Sequence, residues 1–363
     1  MVAFRFAKAA FLLEVEFDKD ATFAERKATI CNLFGRHLPQ RQRQGVIAHA
    51  RIAAALSFLH EARMTPSLLP TRRQAIATCA LGGLTLAGMT RPAHANADKP
   101  LKTLRVIAYN VYNCTGWPKN RALGKKATAT GQMQQRFAHE LALYEPDIIA
   151  FSESPSEAVA AEIAKHLKMN FVRFPSGGSW PGTLLSRFEI ADAKNVPLQE
   201  GERPKELFTR HWGSATIKLP GGQSLLVHSA HLHPAPEPEI RLQEIRAMLA
   251  AMQSDLDAGR SMLLIGDLNH RPTPPEYPLW TNAGWVDTFT KVGHGDGWTF
   301  QSEKDDLKLN KRIDYILAAG PIAKQVVESR PLYEGAFRIN IADPDAFALS
   351  DHVPQLAVFA LDK

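Results

Sequence analysis

Beyond residue 100 the chain alternates short runs of Val, Ile, Leu and Ala with polar loops. LRVIAY, DIIAFS, SLLVHSAHL, MLLIGD, RIDYILA and VPQLAVFAL are apolar, rich in β-branched residues and bounded by turn formers, a pattern that predicts strands. Three other stretches have apolar residues at helical spacing. QMQQRFAHELALYE runs into Pro146, which stops it; SEAVAAEIAKHLK is a second helix; IRLQEIRAMLAAMQSDLDAG is a third, closed by Gly259 just past its end. ATIKLPGGQSLLVHSAHL reads as a hairpin turning at Pro220-Gly221-Gly222. PAPEPE at 234–239 is a stiff loop rather than a boundary, and no repeat or low-complexity tract follows residue 100. Mixed strands interleaved with helices predict a layered α/β architecture.

What closes these runs is as informative as the runs. Asn110 ends the first, Glu153 the second, His231 the third, and Asp267 with Asn269 the fourth; Asp314 opens RIDYIL, and Asp351-His352 precedes VPQLAVF. No packing role accounts for carboxylates, amides and imidazoles at the ends of buried strands, whereas a shared rim facing one cleft does. Glu153 suits Mg²⁺, which takes one or two carboxylates and keeps waters for substrate oxygens. Asp267 and Asn269 alternate, which on an extended segment puts both on the same side, one to orient a water and the other to donate an amide N–H. Asp314 is expected on a strand beside that of His352, where an Asp–His pair fixes a tautomer and raises basicity. His231 supplies a second imidazole. One cation, one water-activating carboxylate and imidazoles near the leaving oxygen are what hydrolysis of a phosphate ester requires. Singly, each residue has a plainer reading: Gly-Asp-x-Asn is a common turn, Asp351 resembles an N-cap, Cys114 is a small buried filler, and His233, Asn113 and His270 serve as supporting or loop residues.

Taken together, YNVYN, FSES, HLH, GDLN, RIDYI and SDH, in that order, resemble the endonuclease/exonuclease/phosphatase superfamily of DNase I-like enzymes, across residues 101–361. The resemblance implies a four-layer α/β sandwich, two packed mixed β-sheets flanked by helices with the site at one edge. It implies Mg²⁺ (or Mn²⁺) held by Asn110 and Glu153, with Asp351 a further metal or water contact. Asp267 would align or deprotonate the attacking water; Asn269, His231 and His352 would bind phosphoryl oxygens, and Asp314 would support His352. Ser186-Arg187-Phe188, after Gly182, matches a structural strand of that family. One departure stands out: Phe151-Ser152-Glu153 occupies the place where Leu-Gln-Glu is usual, which removes an amide beside the metal carboxylate. The implied activity is a phosphodiesterase, nuclease-like or sphingomyelinase-like, acting on a nucleic acid or a phospholipid head group. A phosphomonoesterase, or a binding module for a phosphorylated ligand without catalysis, are the alternatives.

Charge restrains the choice of substrate. The 363 residues carry 43 Lys and Arg against 37 Asp and Glu, a net of +6. Residues 1–95 hold 13 basic and 6 acidic residues, which leaves 30 against 31 for the rest, a net of −1. The positive excess is thus N-terminal and does not argue for a polyanionic substrate. Local clusters remain: Lys119, Arg121, Lys125 and Lys126, and Lys308, Lys311 and Arg312, opposed by Glu200, Glu202 and Glu206. In the N-terminal segment, Arg72-Arg73 precede an uncharged stretch from Ala75 to Met89, then Ala93-His94-Ala95. This resembles a twin-arginine export signal, too short to span a bilayer. The expected organisation is an upstream extension at 1–63 outside the working protein, a signal peptide at 64–97 starting from Met64 and cleaved after Ala95 or Ala97, and a catalytic domain at 98–363. The product would be a periplasmic or secreted monomer without a membrane anchor, holding a single cysteine, Cys114, and no intrachain disulfide.

Overall fold

The computed structural model describes residues 101–196 and 206–361. The expected extension at 1–63 and signal at 64–97 lie outside the described residues, as do Glu200 and Glu202. Among the described residues, fourteen strands, numbered along the chain, form two six-stranded mixed sheets and a two-stranded ribbon. In sheet one the order is β13 (Val326–Pro331), β14 (Gln355–Ala360), β1 (Thr103–Asn110), β2 (Ile148–Ser152), β4 (Gly182–Ser186), β3 (Asn170–Phe174). In sheet two it is β5 (Glu189–Val196), β6 (Trp212–Lys218), β7 (Ser224–His231), β8 (Met262–Asp267), β12 (Asp314–Ala319), β9 (Val286–Asp287). The ribbon pairs β10 (Phe300–Ser302) with β11 (Lys308–Lys311). Among these strands only β1–β2 and β7–β8 are parallel; at their C-terminal ends the first sets Asn110 beside Ser152 and the second sets His231 beside Asp267.

Period-2 alternation explains the layers. Leu104, Val106 and Ala108 of β1 face Val227, Leu263, Ile265 and Ile316 of sheet two in the central core. Ile107 and Tyr109, one residue out of phase, point the other way and pack in one cluster with Ala127 of α1 (Ala122–Ala129) and with Phe137, Leu141 and Ile163 of α2 (Met133–Ala142) and α3 (Glu157–Leu167). On the far side, Met262, Leu264, Tyr315 and Leu317 pack against Ile245, Met248 and Met252 of α4 (Glu239–Asp257) and Trp280 of α5 (Tyr277–Asn282). Each central strand is covered on both faces, hence its near-continuous apolar run. The result is helix, sheet, sheet, helix: the four-layer α/β sandwich. At roughly 25 cal/mol per Å² of apolar area, these three clusters are the dominant stabilising term.

Two expectations about local geometry are corrected. Asp314 does not lie on a strand beside that of His352. β12 pairs with β8 and β9 in sheet two, whereas β14 belongs to sheet one, so the two residues meet across the sandwich rather than along a ladder. Nor is the segment from Asp267 to Asn269 extended: β8 ends at Asp267 and Asn269 is left-handed, with φ of +52°. Among the described residues no helix is long and apolar enough to cross a membrane.

Candidate functional site

Sheet two supplies a row of three. The parallel register sets His231 beside Asp267, and the antiparallel register sets Asp314 on the other side of Asp267. All three are buried to within 2%. Asp267 is the hub. Its Oδ1 accepts the Asn269 backbone N–H at 3.0 Å, the Asx turn that replaces the expected extended stretch. Its Oδ2 accepts Asn110 Nδ2–H at 3.0 Å and lies 3.6 Å from His231 Nε2 and 3.7 Å from His352 Nε2.

Sheet one reaches the same point through loops. Asn110 ends β1, and its Oδ1 accepts the Tyr112 N–H at 3.2 Å. Glu153 follows β2 in a left-handed conformation (φ +49°), as does the opposing turn at Tyr112, Asn113 and Cys114. Four strained residues in two adjoining loops indicate a rim shaped by more than packing. The Ser350-Asp351-His352 segment is hung from β1: Ser350 Oγ donates to the Asn110 carbonyl at 2.7 Å and accepts the His352 N–H at 3.2 Å. His352 Nδ1 meets Asp314 Oδ2 at 2.7 Å, which leaves Nε2 facing Asp267. Asn269 spends its side-chain amide on the Leu232 carbonyl at 2.9 Å. All eight expected residues therefore converge on one edge of the sandwich.

The electrostatics separate the groups. Burial pushes the Asp267 carboxyl up, and the facing Asp314 charge adds to it. Burial also raises Glu153 and Asp351. His231 is driven well down by burial, with His211 and Arg210 adding, so it is a neutral imidazole. For His352 burial acts downward too, but the Asp314 charge and hydrogen bond, aided by Asp267 and Asp351, outweigh it and hold it well up. Four carboxylates around two imidazoles, Asp267 and Asp314 buried and Glu153 and Asp351 half-buried, offer hard oxygen donors that fit a Mg²⁺- or Mn²⁺-type cation. Glu153, Asp351 and the Asn110 amide oxygen are one set of donors. Asp267, Asp314 and His352 are a second, their ligating atoms all within 4.8 Å of one another. The hydrogen bond between Asp314 and His352 already engages Nδ1 in that second set, so the first leaves more lone pairs open.

Several residues of the site escaped the sequence reading. Ser152, the departure from the family's usual amide, places its Oγ 3.4 Å from the Asp267 N–H, a long tie from one sheet to the other. Ser350 and Thr299 fix backbone: Thr299 Oγ1 accepts the N–H groups of Ile313 and Asp314, each at 3.2 Å. Glu244, fully buried on α4, accepts the N–H groups of Phe208 (2.7 Å) and His233 (2.9 Å), tying the start of β6 to the loop after β7. Arg210 lies two residues after Phe208, and its guanidinium feels the charges of Glu153, Asp267 and Glu244. Apart from Ser152, which ends β2, none of these closes a strand, and a serine there carries no charge or imidazole to mark it. Conversely, Arg312 is not available to a phosphate backbone; it is buried and paired with Asp287 at 2.7 Å. Lys308 pairs with Asp306 at 3.6 Å. Cys114 is a buried free thiol. His270 belongs to the packing under α5, where its Nε2 accepts Trp280 Nε1–H at 3.1 Å.

No curated protein matches the sequence. Solved structures do match the fold. A truncated Caenorhabditis elegans TDP2 superposes with a TM-score of 0.53 at 19% identity, over 71% of this chain and 97% of that one. A mannosyl-6-phosphatase from Bacteroides thetaiotaomicron gives 0.54 at 18% identity, over 70% and 98%. An AP endonuclease from Archaeoglobus fulgidus gives 0.50 at 19% identity, over 71% and all of that chain. At these identities the likeness is one of fold. The family model for the Endonuclease/Exonuclease/phosphatase family matches residues 107–352, which span every strand-end residue described above, and the chain belongs to that family.

Proposed function

We propose that this protein is a divalent-cation-dependent hydrolase of phosphate esters, and a phosphodiesterase in particular. The observation that carries the reading is the position of Asp267: a buried carboxylate held by an amide and a backbone N–H, with two imidazole Nε2 atoms 3.6 and 3.7 Å from one oxygen. A carboxylate so fixed, with its proton affinity raised by burial, is suited to take a proton from an attacking water. Asp314 holds His352 with Nε2 towards the cleft, and the raised proton affinity keeps that imidazole charged at neutral pH. A charged Nε2–H stabilises the negative charge that develops on the phosphoryl oxygens. His231, neutral, serves as a hydrogen-bond partner rather than as a charge. The cation, held by Glu153 with Asn110 and Asp351, would supply Lewis-acid stabilisation of the phosphoryl group.

Neighbours of the same fold include an AP endonuclease and a mannosyl-6-phosphatase, so the fold alone does not choose between nucleic acid, lipid head group and small ester. A panel decides: duplex and single-stranded DNA, sphingomyelin, a bis-ester and a mono-ester of p-nitrophenol, each with Mg²⁺, Mn²⁺ or chelator. Turnover of a diester that chelator abolishes supports the reading. Turnover confined to monoesters makes the protein a phosphomonoesterase, and ligand-induced thermal shifts without any turnover make it a binding module. Export through the Arg72-Arg73 signal, with a monomeric product free of membrane anchors, is part of the proposal. Replacing both arginines by lysine should leave an unprocessed cytoplasmic product, and size-exclusion chromatography with light scattering tests the monomer.

A further inference from the structure

We propose that His211 is a positioning residue of this site, its buried imidazole and its carbonyl holding His231 with Nε2 turned to Asp267 and the cleft. The inference rests on the reading above, in which His231 is a hydrogen-bond partner of the reaction, and names the neighbour that orients it.

The need for such a neighbour follows from comparing the two imidazoles. His352 is oriented by Asp314, whose Oδ2 meets Nδ1 at 2.7 Å, so that Nε2 faces Asp267. His231 has no such carboxylate among the described residues. Its Nδ1 is buried without a partner there, and its Nε2 stands 3.6 Å from Asp267 Oδ2, beyond hydrogen-bond reach. The χ2 torsion of a histidine is broad and roughly two-fold, so one distant contact does not fix the ring. Which nitrogen faces the substrate is then set by what surrounds the imidazole.

His211 is placed to do this. The antiparallel register pairs Trp212 of β6 with Ala230 of β7, so one residue further along His211 stands opposite His231, and its carbonyl accepts the His231 N–H at 2.9 Å. The two rings meet edge to face, centroids 6.3 Å apart and planes at 69°. His211 Nε2 also lies 3.0 Å from Ser229 Oγ, two residues before His231 on the same strand. One side chain thus holds the end of β7 at two points. Sheet one closes the slot from the other side. A Cβ on Gly182 of β4 would lie 2.1 Å from His211 Nε2, so only glycine lets the two strands approach around this ring. His211 is fully buried, and burial holds its imidazole down to about 3. It therefore acts as a neutral ring, by shape and hydrogen bonding rather than by charge. The rival role is a core filler to which His231 is indifferent.

Ring nitrogen-15 resonances of the full chain, labelled at histidine, separate the two roles without any substrate. Those of His231 are the pair lost in His231→Gln. They should move in His211→Phe, which keeps a ring but not the bond to Ser229. They should stay near their wild-type positions in His211→Gln, whose amide nitrogen takes the place of Nε2. Gly182→Ala, which forces the His211 ring aside and leaves residue 211 unchanged, should move them as well. In turnover, His211→Phe should lose roughly tenfold in kcat/KM, the scale on which partners that orient a functional histidine act, and His211→Gln should recover most of it. In a His231→Gln background, His211→Phe should cost nothing further. Unmoved His231 resonances in His211→Phe or Gly182→Ala, in a variant that melts like the wild type, would show a filler and overturn the proposal. So would a His211→Phe loss that multiplies with that of His231→Gln. A wild type that turns over no ester sinks the hydrolase reading instead, and the nitrogen resonances still decide the role of His211.

Discussion

The two sheets contribute to one site in different ways. Sheet two presents His231, Asp267 and Asp314 on three adjacent strands, in register, all buried to within 2%. Sheet one presents Asn110 at a strand end, then Glu153 from a left-handed turn and Asp351 from a loop, both half-exposed. Ladder hydrogen bonds hold the backbone of the first group, whereas turns and loops carry Glu153 and Asp351. The division suits the chemistry. A base that takes a proton from water must be held still, while a cation that exchanges waters for substrate oxygens needs donors with some give.

Breaking the rigid half should cost most. Asp267→Asn keeps the shape and removes the proposed base, and kcat should fall on the order of 10²- to 10⁴-fold, the span typical of general acid–base groups. High Mg²⁺ should not recover it. Glu153→Gln attacks the adjustable half. Its loss should be partly recovered at high Mg²⁺, with the activating concentration moved upwards. A metal titration of kcat in both variants checks the pair, and recovery of Asp267→Asn by Mg²⁺ would place the metal on Asp267 and erase the distinction.

The second break lies across the interface between the sheets. Asp314 and His352 meet at 2.7 Å from opposite layers, so they should act as a unit. Asp314→Asn leaves the imbalance of a buried imidazole without its charge partner, and His352 should then lose its raised proton affinity. Each single change should cost roughly tenfold or more in kcat/KM, and the double variant Asp314→Asn/His352→Ala about as much as His352→Ala alone. Multiplying losses would show two independent residues.

Legibility in the sequence follows the same division. Central strands were readable because both faces are buried, as in Ile148–Ser152 and Met262–Asp267, and the active residues closed them. Edge strands were not: β5 reads EIADAKNV with a register shift between Ala191 and Lys194, and β13 runs VVESRP into a proline. Which sheet a strand joins is a long-range property, hence the mistaken neighbour given to β12. A turn and an extended Asp-Leu-Asn share one pattern, and only Asn269, a residue tolerant of positive φ, hints at the turn. Arg210 left no sequence signal, since it precedes β6 and its bridge to Trp180 is tertiary.

The smallest expected effect concerns buried imidazoles outside the reaction, which contrast with His352. Burial holds His228 and His270 down to about 4, so both are neutral in the folded protein. His270 shows why: its Nδ1–H donates to the Arg271 carbonyl at 2.9 Å, and its Nε2 accepts Trp280 Nε1–H at 3.1 Å. A second proton on the ring would face the Trp280 donor. His228 Nδ1 likewise accepts Trp212 Nε1–H, at 3.3 Å. Because the folded values lie below the unfolded one near 6.5, the unfolded chain binds more protons between about pH 4 and 6.5. Their contribution is complete above 6.5 and is lost as pH falls through that window, at most roughly 7 kcal/mol for the two together at 1.36 kcal/mol per pH unit. His352 has the opposite sign, its contribution being present below 6.5 and lost as pH rises through its raised folded value. Melting temperatures across pH 4 to 8 should therefore slope down towards acid in the wild type. In His228→Gln/His270→Gln, which keeps acceptors for both indoles but cannot titrate, the curve should sit lower overall yet slope less. An acid slope as steep as that of the wild type would assign the loss to His211 and His231, which burial also holds down, because Glu153, Asp267, Asp351 and His352 are raised and change stability in the opposite sense.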